Sequence, residues 1–173
     1  MTSGLATERQ IDEESSKKNR LRRQLSAWIP VAICVLVIVA ESTAAFGADH
    51  TSGPLQAFCE WLLHKRFTQP EWWRMHIIIR KCGHLTGYGL LSASWFRAFW
   101  MTFRLNDDPR RRWNYAHLLA VLGTFVVASG DELHQLLLPN RTGSFVDVMI
   151  DCTGALLMQI LIWFSMRNRY VAR

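Results

Sequence analysis

Residues 27–46 read AWIPVAICVLVIVAESTAAF, and this run decides what kind of protein the chain is. No Asp, Glu, Lys or Arg stands between Arg23 and Glu41. A bilayer core of ~30 Å is crossed by about 20 apolar residues in helical conformation. The run has that length. Pro30 falls in the first turn of such a helix, where a missing N–H does little harm. A signal peptide is the competing reading, because Ser42-Thr43-Ala44-Ala45 offers small residues for cleavage. Glu41 at the end of the run, and three more apolar segments downstream, favour retention of the helix.

Those segments run from about His76 to Trp100, Trp113 to Leu138 and Val146 to Met166. Trp72, Trp73, Trp100, Trp113, Tyr115 and Trp163 bracket them as interfacial aromatic belts do. No segment alternates as a strand, and an open sheet could not satisfy its backbone in lipid. The expected fold is all-α: a polytopic membrane protein with four transmembrane helices. Residues 1–25 are expected to be a disordered, basic and polar cytoplasmic tail, and residues 26–168 the four-helix domain. Half of the 173 residues are hydrophobic, and the formal net charge is +6. The basic residues sit at the ends of apolar segments instead of forming a surface stripe, which excludes a nucleic-acid partner and points to topology. With the N-terminus inside, Lys17 to Arg23, Arg97, Arg104, Arg110 to Arg112, Arg167, Arg169 and Arg173 are cytoplasmic, while Lys65, Arg66, Arg74 and Arg141 are outside. Both termini are then expected in the cytoplasm. Cys34, Cys82 and Cys152 lie in apolar stretches and Cys59 in a loop, without metal or redox spacing, and are expected to be buried free thiols.

Ionisable groups inside spans are costly and point to function. The second segment carries Arg80, Lys81, His84 and Tyr88 within one arc of the helix. The third carries Asp131, Glu132 and Gln135, and the fourth opens with Asp147 and Asp151 one turn apart, with Gly154 continuing their face. Segment three enters from inside at Trp113, so Asp131 lies ~27 Å along the axis, near the outer end. Segments two and four enter from outside, which brings all three polar faces to one level. Arg97 reads as an inner-leaflet anchor and His117 as a packing residue. His134 is turned about 100° from Gln135 and reads as reaching the outer interface.

The run Arg80-Lys81-Cys82-Gly83-His84-Leu85-Thr86-Gly87-Tyr88 resembles the Lys-x-x-His-x-x-x-Tyr signature of the VanZ-like family. Asp131-Glu132-Leu133-His134-Gln135 resembles its Asp-Glu-x-x-Gln element, and Pro139, Arg141, Ser144, Asp147, Asp151 and Gly154 follow at the family's spacing. Glu41-Ser42 resembles the Ser that often closes the family's first helix. The likeness extends over about Trp28 to Met166, with Asp151 standing where Asn is common. It implies a bacterial plasma-membrane protein of the family associated with resistance to the glycopeptide teicoplanin, and it implies site residues more than a reaction.

The reading that follows is a binding protein of the outer leaflet. Its ligand is an anionic cell-envelope lipid or lipid-linked cell-wall intermediate. Arg80, Lys81 and Arg141 contact phosphate or carboxylate, and Asp131, Glu132, Asp147 and Asp151 orient them alongside His84, Tyr88, Gln135 and Ser144. The alternative is an intramembrane hydrolase or transferase acting on a lipid-linked substrate. There His84, Asp131 and Glu132 are the acid/base candidates and Ser144 the nucleophile. Asp131, Asp147 and Asp151 could assist through a divalent cation, although no resident metal or cofactor is expected. Transport is disfavoured because no polar path is evident through the inner half of the bilayer.

Overall fold

The computed structural model describes residues 2–43, 48–103, 108–138 and 143–170. Among them the chain is entirely helical: α1 (Thr2–Ser42), α2 (Ala48–Leu63), α3 (Gln69–Thr102), α4 (Pro109–Leu136) and α5 (Phe145–Tyr170). Helix α3 is central, since it packs on each of the other four. Helices α4 and α5 also pack together, while α2 touches only α3.

Three helical stretches are long and apolar enough to cross a membrane: Asp12–Ser42, Pro109–Leu136 and Phe145–Met166. Their large apolar side chains face outward, with Leu36 67 %, Val126 67 % and Phe164 78 % exposed. An apolar exterior of this kind suits lipid and would be a liability in water. Helix α3 is long enough too, but Arg74, Arg80, Lys81 and Arg97 interrupt its apolar character.

The core is built on close approach of backbones. A Cβ placed on Gly154 would collide with the Leu85 backbone, and one on Gly89 would lie 3.2 Å from the Gly154 carbonyl oxygen. The α3–α5 contact therefore depends on small residues, the usual device where lipid supplies no hydrophobic drive between helices. Around it pack Val31, Ile38, Leu91, Ala98, Ala128 and Val148.

Four expectations are corrected. Residues 2–25, expected to be disordered, continue α1. Glu13 and Lys17, and Glu14 and Lys18, are four apart with the acid first, a spacing that supports an exposed helix. Pro30 therefore lies inside α1 and not in its first turn. Its missing N–H deprives the Ser26 carbonyl of its helical donor, and Arg97 supplies the replacement, donating to the Ser26 and Ala27 carbonyls at 3.2 Å each. Arg97 thus repairs α1 from α3. The stretch between the first two segments is not a plain loop: α2 occupies much of it, with Phe58, Trp61, Leu62 and Leu63 exposed. The cysteines are free, but Cys82 is exposed and the other three only half-buried.

The helix ends are fixed by local chemistry. His64 closes α2 with a positive φ of 49°, the left-handed conformation common just past a helix end. Glu60 then holds the turn, accepting from the Phe67 N–H at 3.0 Å and from Gln56 at 3.0 Å. At the start of α3, Glu71 accepts from the Thr68 N–H and hydroxyl at 2.9 Å each, and pairs with Lys65. The Thr68 N–H foremost, then Lys65 and the Thr68 hydroxyl, hold the Glu71 carboxyl down at about 2. Asp108 caps α4 by accepting from the Arg110 and Arg111 N–H groups.

Candidate functional site

The start of α3 presents two faces. Lys81, Leu85 and Gly89, four apart, lie toward α5; Arg80, Gly83, His84, Gly87 and Tyr88 lie about 100° round the helix and line a cavity. Across this cavity stand Ile38, Glu41 and Ser42 from the end of α1, Thr51 from α2, and Asp131 and Gln135 from α4. Its volume is about 200 Å³. Nothing lies within 4 Å of a Cβ built on Gly83 or Gly87, so the two glycines keep the α3 wall open.

The side chains form three linked pairs. Tyr88 donates its hydroxyl to Asp131 Oδ2 at 3.0 Å, and Gln135 Nε2 donates to the same oxygen at 3.1 Å. Asp131 Oδ1 takes no hydrogen bond among the described residues. His84 Nδ1 lies 3.2 Å from Asp151 Oδ1, and its ring stacks on that of Tyr88 with centroids 6.1 Å apart. Asp151 is 0 % exposed, and its second oxygen is without a hydrogen-bond partner among the described residues. With Nδ1 turned to Asp151, the Nε2 edge of His84 is the one left for the cavity.

The third pair, Lys81 with Asp147 at 3.3 Å, lies outside the cavity and is partly exposed on both sides. Lys81 was expected to meet the ligand. The one-residue step along the helix instead turns it to α5, where it ties α3 to the first turn of that helix. Arg80, expected beside Lys81 as a ligand contact, lines the cavity and makes no hydrogen bond or ion pair among the described residues.

Glu132 and Ser144, both catalytic candidates from the sequence, hold the start of α5. Glu132 Oε2 accepts the Ser144 N–H at 2.6 Å, and Ser144 Oγ accepts from the Val146 N–H at 3.2 Å. Neither lines the cavity. Glu132 meets the capping need of α5 because it ends the neighbouring helix beside the chain's re-entry. Arg141 and Pro139 lie outside the described residues. Asp131, Asp147 and Asp151, considered together as holders of a divalent ion, are not so grouped: no cluster of three His, Cys, Asp or Glu fit to hold a metal occurs among the described residues.

The contribution of α1 was underread. Ser42 is buried and its hydroxyl lies 3.0 Å from His134 Nδ1. His134 therefore does not simply reach the interface; it fastens the end of α1 to α4. The signal was present in Glu41-Ser42, two polar residues ending an otherwise apolar run. Thr51 belongs to a stretch that reads as a loop, so nothing in the sequence marks it as part of the cavity.

The VanZ/LLP1 family model matches residues 14–166, most of the chain. The chain belongs to the VanZ/LLP1 family. No curated protein and no solved structure matches it. The resemblance read from the Lys81–Tyr88 and Asp131–Gln135 runs is thus borne out, and the family together with the three apolar helices makes this a membrane protein. In this VanZ/LLP1 chain the signature residues divide by task. Arg80, His84, Tyr88, Asp131 and Gln135 line the cavity, while Lys81, Glu132, Ser144 and Asp147 fix the helix ends around it.

Proposed function

We propose that this is a bacterial plasma-membrane protein of four spans that binds the phosphate of an envelope-lipid headgroup at the outer leaflet. In this reading α3 is the fourth spanning helix, with Lys81 paired to Asp147 of α5 and Arg97 donating to the α1 carbonyls. Residues 26–168 form the membrane domain. Both ends of the chain face the cytoplasm, as the balance of Lys and Arg between the two sides requires. The observation that carries the binding reading is Arg80, a guanidinium on a cavity wall with no ion-pair partner among the described residues. A half-buried guanidinium without a partner keeps its donors for a ligand, and a phosphate suits the donor fork of Arg. The volume of about 200 Å³ favours a lipid headgroup over the sugar and peptide of a lipid-linked cell-wall intermediate, since about 150 Å³ already encloses a benzene-sized molecule. The test is to purify the protein in native-lipid discs and identify retained phospholipid by mass spectrometry. Wild type and Lys81→Ala should retain it and Arg80→Ala should lose it by roughly tenfold, the worth of one charge-assisted hydrogen bond. Equal retention by wild type and Arg80→Ala would sink the reading.

A second reading, hydrolysis or transfer on that same lipid, draws on the His84–Asp151 pair. A fully buried carboxylate on Nδ1 orients an imidazole as acid/base toward a bound group. With Ser144 engaged in capping α5, water is the nucleophile this arrangement leaves. A lipid product formed by wild type and absent with His84→Ala would establish it; an unchanged lipid with both would remove it.

A further inference from the structure

We propose that the headgroup is zwitterionic: a phosphate joined to a protonated amine, as in a phosphoethanolamine ester, with the phosphate on Arg80 and the amine on Asp131. This rests on the lipid-binding reading above and narrows it. The cavity holds charges of both signs, with Arg80 on one wall and Glu41 and Asp131 on others. A purely anionic headgroup would satisfy Arg80 while placing its remaining oxygens near the Asp131 carboxylate, at a Coulombic cost that grows as water is excluded.

The hydrogen bonding at Asp131 sharpens this. Tyr88 and Gln135 both donate to Oδ2, and Oδ1 takes no hydrogen bond among the described residues. A carboxylate in a cavity wall with one oxygen doubly used and the other unused is an acceptor for a further donor. Arg80 is eight positions, ~12 Å along the axis, from Tyr88, the residue that holds Asp131. The two residues thus join the cavity wall about two turns apart along α3, and a ligand that meets both a cation and a carboxylate carries opposite charges joined by a spacer. Between them Gly83 and Gly87 carry no side chain, and His84 presents its Nε2 edge to the cavity.

The decisive experiment uses the full chain in discs of phosphatidylethanolamine and phosphatidylglycerol in equal amounts, with retained lipid read by mass spectrometry. Wild type should retain the ethanolamine lipid over the glycerol lipid by roughly tenfold, the worth of one charge-assisted hydrogen bond. Asp131→Asn keeps an oxygen for Tyr88 and Gln135 but replaces Oδ1 by a donor. It should bring that ratio close to unity by weakening the ethanolamine lipid alone, whereas Arg80→Ala should lower retention of both lipids roughly tenfold. A ratio near unity in wild type, or one unmoved by Asp131→Asn, overturns the zwitterion while leaving Arg80-dependent lipid binding intact. Retention that ignores Arg80→Ala overturns the binding reading itself.

A measurement on wild type alone guards against misfolding of Asp131→Asn. Phosphatidylcholine keeps the positive charge but has no N–H to donate, so it should compete less well than phosphatidylethanolamine; equal competition contradicts the proposal. Soluble O-phosphoethanolamine tells the two sources of this chemistry apart. Displacement of the lipid identifies the headgroup as sufficient, and failure to displace shows that the lipid form is the one recognised; both agree with the zwitterion.

Discussion

The two ends of the helical bundle both bury polar side chains, and they dispose of them in opposite ways. At one end Gln159 Nε2 donates to the Ser92 carbonyl at 3.1 Å and hydroxyl at 2.8 Å, which turns its oxygen to His117 Nδ1 at 2.6 Å. Because the Ser92 carbonyl can only accept, the amide orientation follows, and with it the histidine tautomer that carries its proton on Nδ1. Rings close around this network: Phe96, Trp113 and Trp163 lie 4.5, 4.7 and 5.4 Å from His117 by centroid. At the other end Asp131, Tyr88, His84 and Asp151 also pair, but around about 200 Å³ of open space that Arg80 faces without a partner. Polarity inside helices therefore does not identify a site here. Open space together with unused hydrogen-bonding and charge capacity marks the candidate.

Both ends rest on the α3–α5 contact, and the largest effect is expected there. Gly154→Val forces side-chain atoms into the Leu85 backbone and should cost about 3 kcal/mol through overpacking. Thermal unfolding in detergent should show both ends failing together; survival of either alone would mean the α3–α5 contact is not their common support. Next comes a crossed pair. Gln159→Leu leaves His117 and Ser92 without their partner and should cost ~2 kcal/mol, yet the folded fraction should bind lipid as wild type does. Arg80→Ala should change stability by no more than about 0.5 kcal/mol, as substitutions that break no packed contact usually do, and lower lipid retention roughly tenfold. If the two variants behaved alike in either assay, the division between a packed end and a binding end would be wrong.

The smallest effect lies outside the bundle, at the start of α3. The Glu71 carboxyl is held down at about 2, chiefly by the Thr68 N–H. Its capping contribution is therefore complete above the ordinary glutamate value of ~4.3 and fades as pH falls toward about 2. Hydrogen exchange of the first α3 amides should quicken over that window in wild type beyond the intrinsic pH trend. Glu71→Gln should show no such step, and the cavity residues should not follow it.

Much of this was legible in the chain. A long uncharged run ending at Glu41 specifies a membrane-length helix, because bilayer thickness and helical rise leave little choice. The family signature, and the meeting of three polar stretches at one end, followed from chain direction and spacing. A helical period places residues on a face, but it does not say which neighbour that face will meet. Hence Lys81 and Arg80, adjacent in sequence, were read as one kind of group, and only packing gave Lys81 to Asp147 and Arg80 to the cavity. Ser144 and Glu132 read as chemistry because the cap they form joins residues of two helices. Pro30 looked harmless for want of knowing how far α1 extends, and its compensation by Arg97 crosses about 70 positions of chain. Lipid constrains length, hydropathy and backbone pairing locally, so the order of residues specifies an all-helical membrane protein of the VanZ/LLP1 family and the end of the bundle where polar groups gather. Which of those groups satisfy each other, and which are left facing open space, depends on helix rotation and close backbone approach at Gly89 and Gly154. Only the tertiary structure decided that.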